Sequence, residues 1–128
     1  MVKRTILTAV QEYLRHLEAE GLEVSFAVVF GSQAAGKAGR WSDIDLVVVS
    51  PRFDRSIRRE DVSALWRVAA RTDSRIEPVP CGARQWQEDT ASAVIEIARI
   101  HGTQVALPRA RTHAGGKARA RSKTEQTK

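Results

Sequence analysis

Two carboxylates one residue apart, Asp43 and Asp45, follow about ten residues after a Gly31-Ser32 pair that ends the apolar run Phe26-Ala27-Val28-Val29-Phe30. Side chains alternate along a strand, so Asp43 and Asp45 share one side while Ile44 and Leu46 point the other way, into a core. Two oxygen-ligand side chains on one face suit a hard divalent cation. A Gly-Ser turn beside them offers backbone N–H groups and a hydroxyl to phosphate oxygens. Cation and phosphate cradle together are the equipment of phosphoryl or nucleotidyl transfer. The plainer readings are a solvated Asp pair and a strand-to-helix turn with Ser32 as N-cap, although a helix N-terminus is itself an anion site.

The combination of Gly31-Ser32-Gln33-Ala34-Ala35-Gly36 with Ser42-Asp43-Ile44-Asp45-Leu46 resembles the signature of the polymerase-beta-type nucleotidyltransferase superfamily in its minimal form, over roughly residues 3–107. The resemblance implies a site in which Asp43 and Asp45 hold Mg²⁺, and in which Gly31, Ser32 and Ser42 surround the phosphates of a nucleoside triphosphate, ATP by expectation. It also implies a third carboxylate on a neighbouring strand, which completes the metal site and accepts the proton of the attacking hydroxyl. Glu77, in the extended stretch Arg75-Ile76-Glu77-Pro78, is the candidate; Asp73, in a loop, is its rival. Minimal members often carry Arg where Ala35 stands, so that phosphate contact is missing or moved. The role implied is transfer of a nucleoside monophosphate to a hydroxyl acceptor, possible partners being a HEPN-type toxin or a second copy of the chain. The alternative is a catalytically inactive member of the fold that binds a protein or RNA.

The elements around these residues are read from periodicity. Ile6, Leu7, Val10, Tyr13, Leu14 and Leu17 predict an amphipathic helix of about 16 residues, stopped near Gly21. Val24–Phe30 predicts a buried strand, and Gly36, Lys37 and Gly39 a flexible spacer. Residues 43–49 predict a second strand, parallel or antiparallel to the first, ended by Ser50-Pro51. A basic connector, Pro51–Arg59, leads to a helix with Val62, Leu65, Trp66 and Ala69 on one face. Pro78 marks the next extended stretch, Arg75 to Val79, as an edge strand or the end of one. Gln85–Glu88 predicts a helical turn; Asp89 or Thr90 is expected to cap a last helix bearing Val94, Ile95, Ala98 and Ile100; and Thr103–Leu107 predicts a final strand. This order predicts an α/β or α+β domain, a small mixed sheet flanked by helices.

The net charge of +6 belongs to one end of the chain. Residues 109–128 hold seven Lys and Arg against one Glu, while residues 1–108 hold 14 basic and 14 acidic side chains. The expected division is therefore a neutral domain over 1–108 and a basic, disordered tail over 109–128, with no large apolar residue to repay its ordering and a capacity for weak nonspecific nucleic-acid binding. No apolar run is long enough to cross a bilayer. The N-terminal residues resemble an amphipathic helix rather than a signal peptide, and a single cysteine excludes an intramolecular disulfide, so a cytoplasmic protein is expected. Cys81 reads as packing, and His16, His101 and His113 lack metal-ligand spacing. Lys37, Arg40 and the arginines of 52–59 read as solvated loops that could reach phosphate or acceptor. Trp41 reads as loop packing against the sheet or a base-stacking ring, and Trp66 and Trp86 as core or half-core.

Overall fold

Helix α1 (Arg4–Ala19) forms where apolar residues recur at spacings of three and four, and it buries Ile6, Val10, Tyr13, Leu14 and Leu17 along one side. The computed structural model describes residues 2–107; the expected disordered tail lies outside the described residues. Strands β1 (Phe26–Phe30), β2 (Ile44–Ser50), β3 (Ile76–Gly82) and β4 (Thr103–Val105) form one sheet in the order β3-β2-β1-β4. β1 runs antiparallel to both β2 and β4, and β2 runs parallel to β3. A parallel neighbour requires a crossover, which helix α3 (Arg59–Thr72) supplies. Prolines have no N–H for a ladder, so Pro78 and Pro80 fit β3 only because it is an edge strand.

Helices α1 and α3 cover one face of the sheet. Their buried side chains meet Ala27, Val29, Leu46 and Val48 in the larger core. Leu14 and Leu65 are fully buried there, each removal from water being favourable by about 1.5–3 kcal/mol. The Tyr13 hydroxyl donates to the Leu65 carbonyl at 2.9 Å, and burial holds its phenol protonated well above the ordinary range. On the opposite face α4 (Ala83–Glu88) and α5 (Ala93–His101) lie over Val28, Val47, Val49 and Cys81. Burial also pushes the Cys81 thiol up to about 11, in keeping with a packing role. Strand alternation puts Asp45 on this second face with Val47 and Val49, and Glu77 there with Val79 and Cys81.

Several local expectations are corrected. β1 begins at Phe26 rather than Val24; the intervening Ser25 N–H still reaches the Val49 carbonyl at 2.8 Å. The spacer after Phe30 is not all loop, since α2 (Ser32–Ala35) forms one short turn. Ser92 caps α5 through its hydroxyl, which accepts from Ile95 N; Asp89 instead accepts from the N–H groups of Ala91 and Ser92. Helix α3 buries Leu65, Val68 and Ala69, which turns Trp66 outward, 46% exposed. Trp86 is half-buried, edge-on to Phe26 at 5.7 Å. On α5 only Ile95 and Ala98 are buried, while Val94 and Ile100 face solvent.

Candidate active site

Gly31 ends β1 with φ 74° and ψ −148°, a conformation nearly restricted to glycine. A Cβ placed there would lie 2.5 Å from Asp45 Oδ2. The backbone of the Gly-Ser turn therefore runs directly against the Asp45 carboxylate, and glycine is required both by conformation and by space. Gly31, not Ser32, is the N-cap of α2. Ser32 is exposed at the first position of α2. Ser42, expected among the phosphate ligands, has a partner within its own loop and keeps its hydroxyl hydrogen to donate. Its hydroxyl accepts from Gly39 N at 2.9 Å, and its N–H donates to the Gly39 carbonyl, closing the loop before β2.

The sheet brings Glu77 to the Asp pair. In the parallel register Asp45 is the direct partner of Glu77, one step after Ile44 and Ile76. Burial raises the Asp45 carboxyl above its usual range, and the charge of Asp43 adds to this. Glu77 is raised by desolvation first, then by the Asp43 charge, a hydrogen bond shared with Asp43 and the Asp45 charge. Asp43 thus acts on both other carboxylates through its charge. Asp73, the rival, is withdrawn: Arg75 grips its carboxylate from both sides, at 3.0 and 2.7 Å, and holds it below the ordinary range despite partial burial.

Two residues that the sequence reading passed over shape the site. Gln33 is buried at 4% exposure, and its amide donates to the carbonyls of Ser42 (3.2 Å) and Asp43 (3.4 Å). It ties the Gly-Ser turn to the loop that delivers Asp43. Arg75 donates to the Arg40 carbonyl at 3.0 Å and, through its own carbonyl, receives Ile44 N at 2.8 Å. A polar residue inside a four-residue helix carries no periodic signal of burial, and an Arg before a strand none of its partner. Lys37 and Arg40 lie on the loop beside the carboxylates. The arginines of 52–59 do not: they follow Ser50, at the other end of β2, roughly 20 Å of strand away at about 3.3 Å per residue. A cleft of about 330 Å³ lined by Leu17, Leu22, Arg52, Phe53 and Arg67 also opens at that far end and is separate from the carboxylates.

The donor set suits a divalent cation in kind and in charge. Three carboxylates share one sheet face, and no Lys or Arg forms an ion pair with any of them among the described residues. They are not closed into a cage, since no three acidic, His or Cys side chains of the described residues already stand at metal-ligand spacing.

A mixed sheet with helices on both faces, a glycine turn against an Asp-x-Asp strand and a third carboxylate in parallel register define a nucleotidyltransferase architecture. Residues 7–101 match the family model of the nucleotidyltransferase domain, and the chain belongs to that family. Solved structures share the fold. A protein from Sulfolobus solfataricus provisionally assigned as a nucleotidyltransferase is 14% identical, with 77% of each chain covered and a TM-score of 0.54. A toxin–antitoxin complex with AMP-PNP has 20% identity, 77% of this chain and 74% of that chain covered, and a TM-score of 0.53. A mutant of the toxin–antitoxin pair MntA–HpeT has 19% identity, coverage of 77% and 73%, and a TM-score of 0.52. No curated protein sequence matches the chain significantly. No helix among the described residues is long and apolar enough to cross a membrane.

Proposed function

We propose that this domain transfers a nucleoside monophosphate from a nucleoside triphosphate, ATP by preference, to a hydroxyl acceptor. The observation that carries the reading is the register of β2 and β3, which sets Glu77 opposite Asp45 beside the Gly31 turn. Asp43, Asp45 and Glu77 would hold Mg²⁺, which when bound stabilises negative charge on the phosphoryl oxygens. The chain's own residues do the rest. The Gly31 turn and Ser32 bind the outer phosphates through N–H groups and the hydroxyl. Gln33 fixes the approach of Asp43. Glu77 accepts the proton of the attacking hydroxyl, its basicity raised above that of an ordinary carboxylate by desolvation and by the charges of Asp43 and Asp45. The bonds between Gly39 and Ser42 close the loop that leads into Asp43.

The likeness to toxin–antitoxin structures, one of them holding AMP-PNP, supports an adenine donor and a protein partner of the HEPN-toxin kind; a homodimer is the other candidate. The test is release of pyrophosphate from ATP, with and without Mg²⁺, in the wild type and in Asp45→Asn. Mg²⁺-dependent release that Asp45→Asn loses supports transfer. Nucleotide or partner binding with no release in either protein supports the inactive, binding form of the fold instead.

A further inference from the structure

We infer that Trp41, with Arg40 stacked on it, is the contact by which this domain grips a polypeptide acceptor. The inference rests on the transfer reading above. Trp41 is 79% exposed, although a tryptophan has more apolar surface to gain from burial than any other side chain. The loop does not hold it out by fraying. On one side Arg75 fixes the Arg40 carbonyl; on the other Gln33 fixes the carbonyls of Ser42 and Asp43; between them Gly39 and Ser42 bond each other twice. The ring is thus presented from a loop pinned on both flanks. The Arg40 guanidinium lies 5.1 Å from its centroid and covers one face, which leaves the other open.

The position of the loop says which reactant meets that ring. Entering and leaving groups of an in-line displacement occupy opposite sides of the phosphorus. The Gly31 turn, where the leaving phosphates sit, lies at the end of β1. Arg40 is tied instead to Arg75, the residue before β3, which is the outer strand and carries Glu77. Trp41 stands between Ser42, held by Gln33 of the Gly31 turn, and Arg40, held on the Glu77 side, and its ring stacks on Arg40, toward the side from which the hydroxyl enters.

Charge decides the class of acceptor. A polynucleotide needs a track of several cations for its phosphates. Near the carboxylates the loop supplies Lys37 and Arg40, against Asp43, Asp45 and Glu77, while the arginines of 52–59 lie at the other end of β2. A single exposed Trp backed by Arg is instead the composition of a protein-interface hot spot.

The experiment uses the full chain, Trp41→Ala and Trp41→Phe, with α-labelled ATP and Mg²⁺. The probes are a randomised peptide library containing Tyr, Ser and Thr, a short single-stranded RNA with a free 3′-hydroxyl, and AMP-PNP for calorimetry. The expected result is peptide labelling that falls about tenfold or more in Trp41→Ala and is largely restored in Trp41→Phe, with AMP-PNP affinity changed by less than about twofold. Three results would overturn the inference: peptide labelling that ignores Trp41, AMP-PNP binding that Trp41→Ala weakens as strongly as labelling, or RNA labelled in preference to peptides. A wild type that releases no pyrophosphate in Mg²⁺ overturns the transfer reading itself, which the AMP-PNP arm distinguishes from a lost acceptor contact.

Discussion

Asp45 and Glu77 face each other across the parallel pair β2–β3, and the charge of Asp43 acts on both. Three carboxylates held together in this way destabilise the fold they sit in when all are ionised. Under the proposed function, activity and stability are opposed at this point of the sheet.

Asp45→Asn is expected to reduce transfer about a thousandfold, the loss of several kcal/mol of charge stabilisation. The same change should raise the metal-free melting temperature by about 1–3 °C, the half-exposed position keeping the gain small. The sign follows from linkage. Asp45 and Glu77 have raised folded pKa values, so their contribution is fully present only below the unfolded pKa and is lost as pH rises through the folded value. Above the folded value the ionised carboxylate opposes folding, and neutralising the side chain removes that opposition. Thermal melts and turnover on the same preparation decide the point; a lower melting temperature with normal turnover would contradict both halves.

The Asp73–Arg75 pair should show the opposite pH behaviour. Asp73 is depressed by its hydrogen bonds from Arg75, so its stabilisation is present above the unfolded value of 3.8 and disappears as pH falls through the folded pKa. Asp73→Asn should cost about 0.5–1 kcal/mol at pH 7, partial exposure limiting the effect. The difference from wild type should close as pH drops below 3.8. Urea titrations at pH 7 and pH 3 test this. A gap that stays constant with pH would show that the loss comes from packing and not from the ion pair.

Gly31→Ala is expected to fail twice. Its backbone conformation strains any L side chain, and its new methyl meets Asp45 Oδ2. The cost should be about 1–3 kcal/mol of stability, with activity lost because Asp45 must move. Denaturant midpoints and pyrophosphate release measure the two effects. Wild-type values for both would mean that the turn does not press on Asp45 as described.

Gln33→Met keeps the volume of a buried side chain and removes its two donors. The expected cost is about 1–2 kcal/mol in stability. Displacement of Asp43 should lower kcat by about tenfold to a hundredfold while KM for ATP stays near wild type. An unchanged kcat would show that the loop holds Asp43 without Gln33.

The pattern of the candidate site was legible because it is local. Gly31-Ser32 and Asp43-Ile44-Asp45 lie within fifteen consecutive residues, and strand alternation alone assigns both carboxylates to one side. Helix α1 was legible for the same reason, five buried side chains repeating at helical spacing. The tryptophans were not. Trp41 and Trp66 have the composition of core residues and lie outside it, because which face of a helix or loop is covered depends on what else comes to rest there.

By itself, then, the sequence determined the types of element, the Asp-x-Asp strand and the glycine turn, since hydrophobic period and turn chemistry act between near neighbours. It also narrowed β3 to an edge strand or a strand end, because a proline has no N–H to give, and the sheet order made it an edge. Only the tertiary structure decided that β2 and β3 run parallel in the register that pairs Asp45 with Glu77, that Asp73 is spent on Arg75, and that Gln33 closes on the backbone of Asp43. Those relationships join residues separated by a helix or a loop. They follow from which faces can be buried together, a condition that no short stretch of sequence contains.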